Sequence, residues 1–272
     1  MIRFLLVGVL FTWVFVTFVQ HPTAEEFEDP GVSVAEEPTL VVTLPTVVDV
    51  SARAYGVFDV ETGKLLFGEN VDETLPIASV SKLFTAAAVI EQYPGTTTVH
   101  ITAEDVATEG RAGKLFVGEE LPLRDLLFPL LLESSNDAAA AIERTIGAIP
   151  FADRVLADAA GLLDANQASI AELSSEASRL YKKMPHVFDI TRLNQYVGEE
   201  TGWVNNSPVH ELPGYVGGKH GYTEAAGRTL VALFAEPTLN NRVLGYVVLG
   251  SEDIRTDAEI LRAVVADSVV LQ

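Results

Sequence analysis

Pro76-Ile77-Ala78-Ser79-Val80-Ser81-Lys82, running into Leu83-Phe84-Thr85-Ala86-Ala87-Ala88-Val89-Ile90, is the stretch on which the reading of this chain turns. The proline and small residues mark a loop that passes into an apolar, alanine-rich helix. Positions i and i+3 of a helix share a face about one turn apart, so the Lys82 amine is placed beside the Ser79 hydroxyl. A serine hydroxyl is a poor nucleophile until a nearby base takes its proton. A lysine kept neutral by burial or by a cationic neighbour can be that base. The helix N-terminus adds backbone N–H groups suited to a developing oxyanion. Taken alone, a serine at a helix start is more often just an N-cap. Of the six lysines, however, only Lys82 has a serine three residues before it, and Ser81 meets Phe84 at that spacing. Ser79 is therefore the candidate nucleophile of this pattern.

Composition narrows the setting. The chain has 272 residues, 48% of them hydrophobic, enough for one large domain or two lobes. Cysteine is absent, which excludes a disulfide, a thiol nucleophile and a thiolate metal site. A net charge of −20 disfavours nucleic acid as a partner and a polybasic grip on anionic lipid. The five histidines show no metal-ligand spacing, so no metal site is expected.

At the front, Phe4 to Val19 is almost wholly apolar and follows Arg3. Residues 1–20 read as an N-terminal membrane anchor or signal segment, with the anchor favoured because no good small-x-small cleavage site follows. The positive end stays in the cytoplasm, so the remainder is expected to be exported. Residues 21–49 are acidic and Pro/Thr-rich and read as a solvated linker.

Residues 50–272 read as the folded domain. Residues 54–60 and 64–68 form two strands around the turn Glu61-Thr62-Gly63. Helical periodicity follows in 79–92, 121–132, 137–148 and 169–181. Strand character returns in 215–221, 228–235 and 243–250, and 256–270 is amphipathic and closes the chain as a helix. The expectation is an α/β (α+β) fold in which early and late strands share one antiparallel sheet, flanked by helices, with an all-helical lobe inserted. A cleft forms where lobe meets sheet, and Ser79 lies on that boundary.

Two further elements fall in order behind Ser79. In Glu133-Ser134-Ser135-Asn136-Asp137, Ser134 and Asn136 stand two apart on a connector. The hydroxyl can relay a proton and the carboxamide can bind a substrate amide. The same residues also make a strong N-cap signal. Val216-Gly217-Gly218-Lys219-His220-Gly221-Tyr222 reads as an edge strand whose glycines admit an extended peptide, with Lys219 adding positive potential.

Together the three elements resemble the penicillin-binding protein and serine β-lactamase superfamily, and more closely its low-molecular-mass D-alanyl-D-alanine carboxypeptidases (serine peptidase family S11). The likeness covers roughly residues 50–250 and extends through Thr223-Glu224-Ala225-Ala226-Gly227. It implies a β-lactamase/transpeptidase-like fold. Ser79 would form an acyl-enzyme, Lys82 would accept its proton, and Ser134 would pass that proton to the leaving amine. Asn136 would hold the substrate amide, Lys219 would complete the electrostatics, and the N–H groups of Ser79 and Tyr222 would form the oxyanion hole. His220, Gly221, Tyr222 and Thr223 would line the substrate's path. The implied substrates are peptidoglycan stem peptides, with β-lactams as inhibitors acylating the same serine and no cofactor involved.

The chain departs from this pattern in three places. His220 stands where the family has a threonine that contacts the substrate carboxylate. Histidine can donate a hydrogen bond there, Arg228 on the next strand can anchor a carboxylate bidentately, or the preference shifts to cross-links without a free carboxylate. The stretch from Asn136 to Lys219 is short for the family. Glu172 and Glu176 within it fit the polar face of a helix rather than a deacylating site. The chain also ends soon after the closing helix, without the family's common C-terminal β-domain. A serine β-lactamase and a non-catalytic peptidoglycan-peptide-binding protein of the same fold are the alternatives to a carboxypeptidase or endopeptidase.

Overall fold

Apolar residues on the late strands alternate between two cores, and this alternation sets the layering. On one strand Val231 and Leu233 enter the first core while Leu230, Ala232 and Phe234 enter the second. On its neighbour Val247 and Leu249 divide in the same way from Leu244, Tyr246 and Val248. A period of two with both faces apolar means a sheet covered on both sides. The structure, a computed structural model, describes residues 39–43, 48–93, 95–110, 113–198 and 201–272. These belong to one unit, Pro38–Gln272. The segment Phe4–Val19 and the acidic stretch after it lie outside the described residues.

The strands outside the inserted region are β1 (Leu40–Val42), β2 (Ala54–Asp59), β3 (Leu65–Glu69), β4 (Tyr215–Thr223), β5 (Gly227–Glu236), β6 (Arg242–Ser251) and β7 (Val269–Leu271). Five of them form an antiparallel sheet in the order β4–β5–β6–β2–β3, which leaves β4 on an edge. The β2–β3 turn is closed by Asp59, which accepts from Thr62 Oγ1 at 2.6 Å and through its carbonyl from Gly63 N at 2.8 Å. The chain between β3 and β4 supplies α1 (Lys82–Gln92), α2 (Asn136–Ile146), α3 (Ile170–Lys183) and α4 (His186–Arg192); α5 (Ile254–Ser268) follows the sheet. α5 covers the second core with Ile254, Ala258, Leu261 and Val265, one helical stripe in which each large side chain contributes about 2 kcal/mol of burial. α1 and α3 help cover the first core. Eight of the first eight residues of α1 are buried, Lys82 among them, so α1 is a central helix rather than an amphipathic one. α3 lies close on β2, where a Cβ on Gly56 would stand 2.4 Å from Ile170 Cγ2.

The sheet, its edge strand and the inserted helices thus form the expected fold class, and the structure revises several local expectations. Residues 121–132 are not an α-helix. Glu120–Pro122 pairs with Thr98–His100, and Pro129–Glu133 is a single π-helical turn. Pro129 explains this, since in the interior of such a helix it lacks an N–H and crowds the preceding turn, whereas Pro122 would fall in the first turn, where proline is tolerated. The closing helix ends at Ser268, and Val269–Leu271 instead pairs with β1, so residues 40–42 of the expected linker are part of the folded unit. No helix of the described residues is long and apolar enough to cross a membrane.

Candidate active site

Ser79 sits on a 3₁₀ turn, Ala78–Ser81, that leads directly into α1 at Lys82. In a 3₁₀ turn side chains three apart eclipse one another, which brings the lysine over the serine more closely than an α-helical start would. Lys82 Nζ lies 2.9 Å from Ser79 Oγ, 2.9 Å from Asn136 Oδ1 and 2.6 Å from the Ala160 carbonyl. Here Lys82 Nζ donates to all three oxygens and Ser79 Oγ donates to the Ala160 carbonyl; a neutral amine held by the two carbonyl oxygens need only rotate to turn its lone pair to the serine hydroxyl, the geometry a general base requires. Lys82 is completely buried. Ala78, immediately before the nucleophile, holds a left-handed φ of 47°, a strained backbone of the kind found at working sites.

The second element resolves the competition between capping and function. Ser135 caps α2, accepting from Ala138 N at 3.0 Å. That leaves Ser134 and Asn136 to face the cleft. Ser134 is the residue that ends the π-turn, in a left-handed conformation with φ 64°. Asn136 bridges α1 and the loop at Glu109, accepting from Lys82 Nζ through Oδ1 and donating from Nδ2 to the Glu109 carbonyl at 2.6 Å.

The third element is β4. Gly221 passes so near the nucleophile that a Cβ there would stand 2.5 Å from Ser79 N. Thr229, paired with Gly221 across the sheet, donates to the Ile77 carbonyl at 2.8 Å and ties strand to turn. Gly217 and Gly218, expected to admit a substrate backbone, serve packing instead. A Cβ on Gly217 would meet Thr191 Oγ1 at 2.6 Å on α4, and one on Gly218 would meet the Val231 carbonyl at 2.3 Å. Lys219 is buried, with Nζ donating to the His220 carbonyl at 2.7 Å.

A cleft of about 270 Å³ joins these parts, lined by Ser79, Ser134 and Asn136, by His220 through Thr223, and by Arg228. Lys82 and Lys219 lie buried beside it. Arg228 stacks over the Tyr222 ring with its guanidinium carbon 5.4 Å from the centroid, and its Nε donates to the Glu252 carbonyl at 3.1 Å. Glu172 and Glu176 are engaged elsewhere. Glu172 completes the cap of α3 and pairs with Arg154 at 2.6 Å, while Glu176 pairs with Arg179 at 2.8 Å. The hydrogen bond from Arg154 holds the Glu172 carboxyl below its ordinary value despite some burial. Among the described residues, no three His, Cys, Asp or Glu side chains converge as a metal site.

The loop around residues 157–166 was not singled out as part of the site from the sequence. Gly161 and Leu162 line the cleft, and the Ala160 carbonyl contacts both catalytic candidates. A main-chain oxygen has no sequence signature. Only Asp158-Ala159-Ala160-Gly161, a turn-forming Asp followed three residues on by Gly, was there to be found.

A serine hydroxyl touching a buried lysine, where an antiparallel sheet meets a helical lobe, defines a class of acyl-transferring serine enzyme. The profile of the D-alanyl-D-alanine carboxypeptidases, peptidase family S11, matches residues 41–253, and the chain belongs to that family. It is 31% identical over 112 residues to a D-alanyl-D-alanine endopeptidase of Pseudomonas aeruginosa, covering 40% of this chain and 36% of that protein. It is 26% identical over 208 residues to the D-alanyl-D-alanine carboxypeptidase DacB2 of Mycobacterium tuberculosis, covering 69% of this chain and 72% of that protein. The fold superposes on penicillin-binding protein D2 of Listeria monocytogenes in its cefotaxime-bound form with a TM-score of 0.67 and 22% identity, over 81% of this chain and 99% of the other.

Proposed function

We propose that this chain is a serine DD-peptidase that cleaves D-alanyl bonds of peptidoglycan stem peptides through an acyl-enzyme on Ser79. The observation that carries this reading is the 2.9 Å contact between Lys82 Nζ and Ser79 Oγ in a cleft also lined by Ser134, Asn136 and the edge strand. Lys82 takes the serine proton as Oγ attacks the scissile carbonyl. The developing oxyanion is stabilised beside the Ser79 amide, where Gly221 leaves room. Ser134 returns the proton to the leaving amine, Asn136 holds the substrate amide, and Lys219 supplies positive charge. Water then hydrolyses the acyl-enzyme.

β-Lactams acylate the same serine, a reading supported by the family and by the cefotaxime-bound Listeria relative of the same fold. The engagement of Glu172 and Glu176 in their own ion pairs disfavours β-lactamase turnover, and the Ser79–Lys82 contact disfavours a purely binding role. The chain works outside the cytoplasm, held to the membrane by residues 1–20 and spaced from it by an acidic tether. The support for this is the apolar run Phe4–Val19 behind Arg3.

The test is intact-protein mass after incubation with a penicillin. A single, long-lived adduct on the wild type that is absent from Ser79→Ala is expected. No adduct on folded wild-type protein overturns the reading, and rapid release of hydrolysed penicillin replaces it with the β-lactamase.

A further inference from the structure

The Ala160 carbonyl accepts from the Lys82 amine at 2.6 Å and from Ser79 Oγ at 3.2 Å. A main-chain carbonyl is aimed by its peptide plane, and in a trans peptide the C=O and the next N–H point in opposite directions. The N–H at the other edge of this plane is that of Gly161, and it donates to Asp158 Oδ1 at 2.6 Å. The plane is thus held from both edges, by a lysine on one side and a carboxylate on the other.

Asp158 organises the whole turn. Oδ1 also accepts from Ala160 N at 2.8 Å and Leu162 N at 3.1 Å, and Oδ2 from Leu163 N at 2.7 Å. Asn166 closes the loop, donating to the Asp158 carbonyl at 2.9 Å and accepting from Ala157 N at 2.6 Å. Its own carbonyl accepts from Ile77 N at 2.9 Å, two residues before the nucleophile. Gly161 presses on the same turn, where a Cβ would come within 2.1 Å of the Ala78 carbonyl. The loop therefore meets both the backbone before Ser79 and the amine beside it.

We propose that Asp158 is a positioning residue of the nucleophile: by holding the Gly161 N–H it aims the Ala160 carbonyl at Lys82 and so orients the amine toward Ser79. Asp158 itself does not line the cleft and acts through the turn it organises, this peptide plane above all. The proposal rests on the acyl-enzyme reading above. It requires an acceptor at Oδ1 rather than a negative charge, which sets the side chains to compare. Alanine removes the acceptor, and asparagine keeps it.

The experiment measures the second-order rate of penicillin acylation, the final fraction acylated and the pH profile of the rate. It compares wild type, Asp158→Ala, Asp158→Asn and Arg262→Met, the last on the opposite side of the sheet. Asp158→Ala is expected to acylate fully but roughly 10²-fold more slowly, the loss associated with misplacing a reacting group by about 1 Å. The acid limb of its profile should move to lower pH, because a carbonyl that accepts from an ammonium favours the protonated form. Asp158→Asn should acylate faster than Asp158→Ala by keeping the Oδ1 acceptor, yet more slowly than wild type because its NH2 cannot accept from Leu163 N as Oδ2 does. Arg262→Met should lose stability with an unshifted limb. If Asp158→Ala does not fold, Asp158→Ser takes its place; its shorter hydroxyl caps the turn more weakly than a carboxylate, so a slower rate and a shifted limb in the same direction, each smaller than for alanine, are expected.

A wild-type rate and profile in Asp158→Ala, or in Asp158→Ser used in its stead, overturns the proposal. So does a loss confined to the acylated fraction, or an asparagine variant as slow as the alanine one. Absence of any adduct on the wild type overturns the acyl-enzyme reading itself, which separates the two failures.

Discussion

Gly221→Ala tests how closely the edge strand must approach the nucleophile. The added Cβ would stand 2.5 Å from Ser79 N, 2.9 Å from Ala78 Cβ and 2.9 Å from Thr229 Oγ1. Ordinary contact begins at 3.4 Å, so strand and turn must part by 3.4 − 2.5, about 0.9 Å, on the side of the Ser79 amide. Two of the three neighbours are part of the turn itself and cannot rotate away as a flexible side chain would. Overpacking of this kind costs about 1–3 kcal/mol of stability. A displacement near 1 Å at the reacting centre costs roughly 10²-fold in rate. The expected result is therefore a folded protein, slightly less stable, whose acylation by a chromogenic β-lactam slows about a hundredfold at an unchanged final stoichiometry. Stopped-flow acylation beside a thermal melt measures both. A variant that acylates within threefold of wild type would refute the reasoning, because it would show that the strand does not brace the nucleophile's amide.

Two other perturbations probe the carboxylate end of the cleft and the acid stability of the sheet. Arg228→Ala should raise KM for peptides with a free terminal carboxylate roughly tenfold or more, the effect of losing one charged hydrogen bond, with kcat nearly unchanged; an unchanged KM would remove Arg228 from substrate binding. Asp59 ends β2 and pairs with Arg242, the first residue of β6, at 2.8 Å. Burial pushes its carboxyl up, but the Arg242 and Thr62 hydrogen bonds and the Arg242 charge outweigh burial and hold it below the ordinary value. A depressed folded value means that the stabilisation is present above the unfolded pKa near 4 and fades as pH falls through the folded one. Asp59→Asn should therefore lose about 3 kcal/mol at pH 7, as for a broken buried pair, and the gap to wild type should shrink below about pH 4. Urea unfolding at several pH values checks this, and a gap independent of pH would contradict it.

Much of the molecule is legible in the chain itself because local pattern and tertiary role agree. The β2–β3 hairpin rests on a turn whose Asp59 and Thr62 bond each other, three residues apart. The late strands carry their alternation in plain view, and α3 opens with the Ser169–Glu172 capping box. Residues 121–132 misled because their apolar spacing suits a helix while Pro129, in its interior, opposes one. The π-turn that results also turns the backbone at Ser134, which no periodicity would show. In the glycine-rich strand the residue type was informative but its use was not. Gly217 makes room for α4 and Gly221 for the nucleophile, and only the packing partner tells them apart.

The sequence by itself determined the chemistry on offer: a serine three residues before a lysine, a serine and asparagine on a connector, and a lysine on an edge strand, in that order. These are covalent facts of spacing, and spacing within one turn or strand survives folding. What only the tertiary structure decided is which backbone atoms complete the site. The Ala160 carbonyl reaches Lys82 from 78 residues away, and the Gly161 amide behind it is held by Asp158. Every residue carries the same carbonyl and amide, so their selection belongs to the path of the loop. The turn is shaped locally by Asp158 and Asn166, but its placement against the nucleophile rests on the contact from Ile77 N to the Asn166 carbonyl, which no local pattern encodes.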